Sequence, residues 1–198
     1  SREGRLDVLI CNAGFGISGA VEFTAYADAK RQFDVNFFGT SNCIRAALPE
    51  MRRQGSGMII VTSSVAGMVS IPFQAYYSAS KAALNSLVLA TANEVRPYGV
   101  RVAAIMPGDI KTGFTAARTK SNAGSSDYAA LSKSVATMER DEQNGMSPDV
   151  IARCMYSVSR NPKPLRSVGL QYKACCLLGK YLPCRLSNWI VGKMYASK

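Results

Sequence analysis

Short runs of aliphatic and β-branched residues punctuate the first half of the chain, and each stops at a turn. Leu6–Cys11 runs into Asn12-Ala13-Gly14, Met58–Thr62 into Ser63-Ser64, and Val100–Ile105 into Met106-Pro107-Gly108. Apolar runs of this length bounded by turn residues read as strands. Between them the period changes. Phe33, Phe37, Ile44 and Leu48 recur at helical spacing, as do Leu84, Leu87 and Val88. Strands alternating with helices predict an α/β fold with a parallel sheet and helices on both faces. Ligands in such sheets bind at the carboxyl ends of the strands. The turns at Asn12–Gly14, Ser63-Ser64 and Pro107-Gly108 are therefore the places to look for chemistry.

The pattern weakens further on. Residues 112–144 are small and polar, with Lys120-Ser121-Asn122-Ala123-Gly124-Ser125-Ser126 at their centre, and read as a long loop on the substrate side. Ser147-Pro148 opens a helix, as an N-cap followed by proline at the first helical position. A last short strand is expected near Arg166–Gly169, before an apolar and basic C-terminal segment. The 198 residues suit one domain. Its parts are core strands and the main helix in 1–111, the substrate-side loop in 112–146, and helix, last strand and tail in 147–198.

Composition then narrows the chemistry. Histidine is absent, which excludes a Ser-His-Asp triad, a Cys-His pair and every His-ligated metal. No metal site is expected. The six cysteines form no Cys-x-x-Cys and no disulfide-scaffold spacing, so reduced thiols and an intracellular location are expected. The formal charge is +11, and nine of the 24 basic residues lie from Val150 onward with no acid among them. Interleaved with Trp189, Ile190, Val191 and Tyr195, that tail suits peripheral contact with an anionic membrane rather than a span. The protein is then expected in the cytoplasm or on the surface of an intracellular membrane. No aromatic spacing of a nucleic-acid motif accompanies the charge, so no nucleic acid is expected.

One pair stands out as candidate chemistry. Tyr77-Ser78-Ala79-Ser80-Lys81 puts a phenol and an ammonium on one helical face, one turn apart. A free tyrosine titrates near about 10, too high for proton work at neutral pH, and a neighbouring cation lowers that value. The same spacing occurs in Tyr26-Ala27-Asp28-Ala29-Lys30, where an ordinary exposed helix pair is the expectation. Context separates the two: Ser64 ends a strand thirteen residues before Tyr77, so a hydroxyl at the sheet edge can meet the phenol.

With these elements in order, the chain resembles the short-chain dehydrogenase/reductase family. The matching segments are Cys11-Asn12-Ala13-Gly14, Asp34-Val35-Asn36-Phe37-Phe38-Gly39, Ser63-Ser64 with Ala66-Gly67, Tyr77-Ser78-Ala79-Ser80-Lys81, and Pro107-Gly108-Asp109-Ile110-Lys111-Thr112. Cys11 departs from the second Asn that many members carry. The resemblance implies a Rossmann-type doubly wound sheet and a catalytic tetrad of Asn36, Ser64, Tyr77 and Lys81. It implies NAD or NADP as coenzyme, faced by Asn12, Ala13 and Gly14, by Tyr77 and Lys81, and by Pro107, Gly108, Ile110 and Thr112. By the family pattern Ser64 would fix the substrate oxygen and Tyr77 would pass the proton. Lys81 would stabilise the tyrosinate and hold the nicotinamide ribose, and Asn36 would position a water leading from Lys81 to solvent.

The family's glycine-rich phosphate turn has no counterpart. Gly14-Phe15-Gly16-Ile17-Ser18-Gly19 fits the spacing, with Asp34 twenty residues on. That acid should close a second strand, whereas Asp34 lies within a helical pattern. Ser1-Arg2-Glu3-Gly4-Arg5 reads as the tail of a preceding helix, so the phosphate turn and first three strands of the family are expected upstream of it. The expected activity is hydride transfer between nicotinamide and the hydroxyl or carbonyl carbon of a small alcohol or ketone. The apolar C-terminal segment leans towards a steroid-, retinoid- or sphingoid-like substrate, and the resemblance implies a homo-oligomer built on the long helices. The alternative is a non-catalytic remnant serving as a binding or scaffolding module.

Overall fold

The computed structural model describes residues 3–196. Four parallel strands form the main sheet: β1 (Val8–Cys11), β3 (Gly57–Thr62), β4 (Val100–Met106) and β6 (Leu165–Ser167), in the order β1-β3-β4-β6. A separate parallel pair joins β2 (Ile17–Ser18) to β5 (Thr119–Lys120). The helices are α1 (Tyr26–Phe33), α2 (Thr40–Gln54), α3 (Ala75–Val95), α4 (Leu131–Gln143), α5 (Pro148–Arg160), α6 (Leu170–Tyr181) and α7 (Cys184–Tyr195).

The period of two in β3 and β4 divides the core. Ile59 and Val61 of β3 with Val102 and Ala104 of β4 face Ile44, Ala47 and Met51 of α2 and Leu84 and Val88 of α3. Met58 and Ile60 with Ala103 and Ile105 point the other way, onto Ile151 and Val158 of α5. Both strands are buried on both faces, which is why they read as continuous apolar runs rather than alternating ones. β1 is different. It pairs with β3 alone among the described residues, and Val8 and Ile10 remain 44% and 49% exposed.

Two sequence expectations need correction. The loop expected over 112–144 contains α4, which buries only Leu131, Ser134 and Met138. A face that includes a serine and has gaps of three and four residues carries too little apolar signal to stand out. The N-terminal helix tail is not seen: Glu3 and Gly4 lie in a bend, and Ser1 and Arg2 fall outside the described residues, as do Ser197 and Lys198 of the basic tail. The Ser147 cap behaves as read, its Oγ accepting from the Asp149 amide at 3.3 Å. No helix among the described residues is long and apolar enough to cross a membrane.

Leu84 sits where α3 meets the sheet and is fully buried. Leu84→Ala should lower the unfolding free energy in urea by about 2–5 kcal/mol. Tyr26→Ala, at a side chain 81% exposed, should change it by less than about 0.5 kcal/mol. Equal effects would contradict this assignment of the core.

Candidate active site

The helix α3 is long because Ala75–Val95 contains neither glycine nor proline and is rich in alanine and leucine; Pro97 follows its end. Four polar contacts seat its first half against the carboxyl end of β3. Ser63 Oγ donates to the Lys81 carbonyl at 3.1 Å, and Lys81 Nζ donates to the Thr62 carbonyl at 2.8 Å. Asn85 Nδ2 donates to the Gly67 carbonyl at 3.3 Å, and the Ile71 amide donates to Ser78 Oγ at 3.2 Å. Gly67 has to be glycine: a Cβ there would lie 2.8 Å from the Lys81 carbonyl carbon and from Asn85 Nδ2.

This seam brings Ser64, Tyr77 and Lys81 to one place. Ser64 caps the 3-10 turn Val65–Gly67, its Oγ accepting from the Ala66 amide at 3.1 Å and donating to the Pro107 carbonyl at 3.5 Å, and it lies beside the Tyr77 phenol. The Lys81 ammonium lies 5.7 Å from the centre of the Tyr77 ring. Burial pushes the Tyr77 phenol up to about 12, opposed by the Ser64 hydrogen bond; Glu142 adds to the rise and Arg118 works against it. Burial also lowers Lys81 to about 8. The expectation of a depressed phenol is thereby corrected for the free chain. Desolvation is the largest influence on the phenol, and the Lys81 ammonium is turned to the Thr62 carbonyl.

Asn36 lies in a π-helical turn, Asp34–Gly39, between α1 and α2, a local widening of the helix that recurs at functional sites. Its side chain is fully buried, with both amide hydrogens bonded. Oδ1 accepts from the Phe15 amide at 3.0 Å, and Nδ2 donates to the Phe15 carbonyl at 3.0 Å and to Ser80 Oγ at 3.1 Å. Asn36 thus clamps the turn after β1 and stands behind the cleft rather than in its wall. A Cβ on Gly14 would come 3.2 Å from Asn36 Oδ1 and 3.4 Å from Lys81 Nζ, so bare backbone is presented beside the lysine.

A cleft of about 1310 Å³ opens over these residues at the carboxyl ends of β1, β3 and β4. Asn12, Gly14, Ser64, Tyr77 and Lys81 line it, and so do Pro107, Gly108, Ile110 and Thr112. Ala13 is exposed beside it and is not part of its wall. Asn12 Oδ1 accepts from Thr62 Oγ1 at 2.7 Å, tying the ends of β1 and β3 together. The Gly14–Gly19 segment does not open an α-helix: Ile17 and Ser18 pair with Thr119 and Lys120, only a 3-10 turn, Val21–Phe23, follows, and Asp34 is ion-paired with Lys30 on the α1 side. In the second Tyr-x-x-x-Lys, Tyr26 points to solvent.

Three side-chain groups in the cleft region escaped the sequence reading. Phe114 packs on Tyr77 with ring centres 5.7 Å apart, and the Arg118 guanidinium lies 5.7 Å from the Phe114 ring centre. Arg118 is buried and ion-paired with Glu142, which also accepts from Thr115 Oγ1 at 2.6 Å. Tyr172 of α6 lies over Gly108 and donates to Asp109 at 2.7 Å. Only Phe114, the sole aromatic between Thr112 and Asp127, left a trace that periodicity-based reading could have followed.

The profile described as short chain dehydrogenase matches residues 1–123. The chain is 38% identical to the 3-ketodihydrosphingosine reductase of Bacteroides thetaiotaomicron, over 99% of this chain and 75% of that protein. It is 36% identical to human 17-beta-hydroxysteroid dehydrogenase type 1, over 82% of this chain and 52% of that one. In structure it is similar to a short chain dehydrogenase/reductase from Burkholderia phymatum in complex with NAD: TM-score 0.77, 25% identity, 88% of this chain and 65% of that one. The chain thus spans about half to three quarters of these proteins.

The lowered Lys81 value has a measurable consequence. Between about pH 8 and the ordinary lysine value of 10.5, the unfolded chain binds a proton at this side chain that the folded chain has lost. Stability attributable to Lys81 therefore rises with pH across that window. The urea midpoint of the wild type should gain on that of Lys81→Met as pH goes from below to above this range. A gap that narrows instead would show that Lys81 keeps its charge when folded.

Proposed function

The chain belongs to the short-chain dehydrogenase family, whose members are NAD(P)-dependent oxidoreductases, and we propose that it interconverts a hydroxyl and a carbonyl on a lipophilic substrate. The observation that carries this reading is the convergence of Ser64, Tyr77 and Lys81 on one wall of the cleft.

The residues present fit the nicotinamide end of the coenzyme. Gly14 leaves bare backbone next to Lys81 where a side chain would crowd Asn36 and the ammonium. Asn12, Ile110 and Thr112 line the cleft as well. Together with Tyr77 and Lys81, these groups would hold the nicotinamide and its ribose. When bound, the coenzyme supplies or accepts the hydride. The chain's own part is the proton. With its phenol well above neutral pH, Tyr77 is a protonated donor that can hand its proton to a carbonyl oxygen as that oxygen gains charge. Ser64 stands beside the phenol and lowers its value, and its hydroxyl, which donates to the Pro107 carbonyl at 3.5 Å, can turn to the substrate oxygen and fix it beside Tyr77. The Lys81 ammonium, held by the Thr62 carbonyl, stabilises the tyrosinate left behind. Asn36 acts through position, holding the Phe15 turn so that Gly14 stays against Lys81; the water it would set between Lys81 and solvent belongs to the same reading.

Substrate class follows from the cleft wall beyond the tyrosine. Phe114, Leu178, Leu182, Ile190, Val191 and Met194 make it apolar, which suits an aliphatic chain or a fused ring. The two relatives compared are named for a ketosphingoid base and a hydroxysteroid. A homo-oligomer is part of this reading, supported by Val35, Phe38 and Leu89, which remain exposed on the helices around Asn36 and Tyr77.

Tyr77→Phe removes the proton donor and keeps the ring that packs on Phe114. Turnover of a lipophilic ketone should fall by about 10²–10⁴-fold, while NADH or NADPH affinity measured by fluorescence titration falls far less, since Lys81 and the other coenzyme contacts remain. A variant that retains near-normal turnover would remove Tyr77 from the proposed role. Tyr26→Phe should leave both quantities unchanged.

A further inference from the structure

The helices α6 and α7 each carry two apolar faces. Inward, Cys175 and Leu178 of α6 and Ile190, Val191 and Met194 of α7 line the cleft. Outward, Leu170, Leu177 and Tyr181 recur along α6 and are 84%, 57% and 74% exposed. Lys173 and Lys180, seven residues apart, run alongside that row. On α7 the outward residues are Leu186 and Trp189, 43% and 60% exposed, with Arg185 and Lys193 beside them; the Lys193 ammonium lies 5.9 Å from the Trp189 ring centre. Leu178, Ile190 and Met194 belong to the cleft wall yet are 55%, 37% and 61% exposed. The cleft wall made by this helix pair is therefore accessible to solvent.

We infer that the outer faces of α6 and α7 dock on an anionic lipid bilayer, holding this wall of the cleft against the membrane so that a lipophilic substrate passes from lipid into the cleft. The delivery step rests on the proposed function; the docking does not. Apolar side chains interleaved with lysine and arginine suit a helix lying in the headgroup region, where the apolar row enters the acyl boundary and the cations meet lipid phosphates. Charge argues against a second copy of this chain on the same face. Self-complementary pairing would set one patch of Lys173, Lys180, Arg185 and Lys193 against the same cationic patch of the other copy, and neither helix carries an acid to answer it.

Trp189 is the only tryptophan, so its emission reports this face directly. Vesicles of phosphatidylcholine with phosphatidylserine should shift the emission of the full chain to the blue, and high salt should reverse the shift. Vesicles of phosphatidylcholine alone should give little change. Lys173→Gln combined with Lys180→Gln, at exposed positions, should weaken partitioning by roughly thirtyfold, about a fivefold step for each cation. The same variant should lose turnover of a ketone dissolved in the vesicles while keeping turnover of a short water-soluble ketone. The proposal is overturned by equal partitioning to neutral and anionic vesicles, by no shift with either, or by a blue shift that grows with protein concentration in the absence of lipid. The vesicle readout needs no turnover, so it decides the docking surface even if the proposed reaction fails.

Discussion

Everything at the candidate site depends on how closely α3 lies against the segment that follows β3. Gly67 leaves no room for a methyl group between that segment and the Lys81 backbone. Ser63, Asn85, Ser78 and the Lys81 ammonium then bond the two pieces together. Ser64 sits in the middle of this seam and Tyr77 one turn before Lys81, so their meeting is set by backbone packing rather than by side-chain flexibility. The apolar layers behind it, Ile59 and Val61 against Leu84 and Val88, supply the burial that holds the seam shut.

The same closeness sets the electrostatics. A phenol and an ammonium withdrawn from water both favour their neutral forms, which is the direction found for each. Opposing influences come from the Ser64 hydroxyl and from Arg118, whose partner Glu142 pushes the other way. The segment carrying Phe114, Thr115 and Arg118 thus does more than cover the cleft. It packs a ring on Tyr77 and places one buried charge pair near its phenol.

The legible parts of the sequence were those with a regular period or a punctuated end. β3 and β4 were visible as apolar runs because both of their faces are buried, and α5 because Ser147 and Pro148 mark its start. α4 was hidden by a buried serine in its inner face. The difference between Tyr77 and Tyr26 was readable from the hydroxyl at the end of β3, and the structure leaves Tyr26 in solvent. The state of the phenol was not. A local rule, tyrosine beside lysine, predicts a lowered pKa, while the result depends on how much water the folded chain removes from both groups. The Arg118–Glu142 pair was equally out of reach, since 24 residues separate its members.

The central claim is that the α3 seam keeps Tyr77 as a neutral proton donor. A spectrophotometric pH titration of tyrosinate, taken as the difference between wild type and Tyr77→Phe in the coenzyme-free chain, tests it most directly. The account predicts that Tyr77 contributes no tyrosinate until well above the ordinary tyrosine value, towards about 12. Tyrosinate from Tyr77 at or near neutral pH would contradict it, and would mean that the Lys81 cation, not burial, governs the phenol.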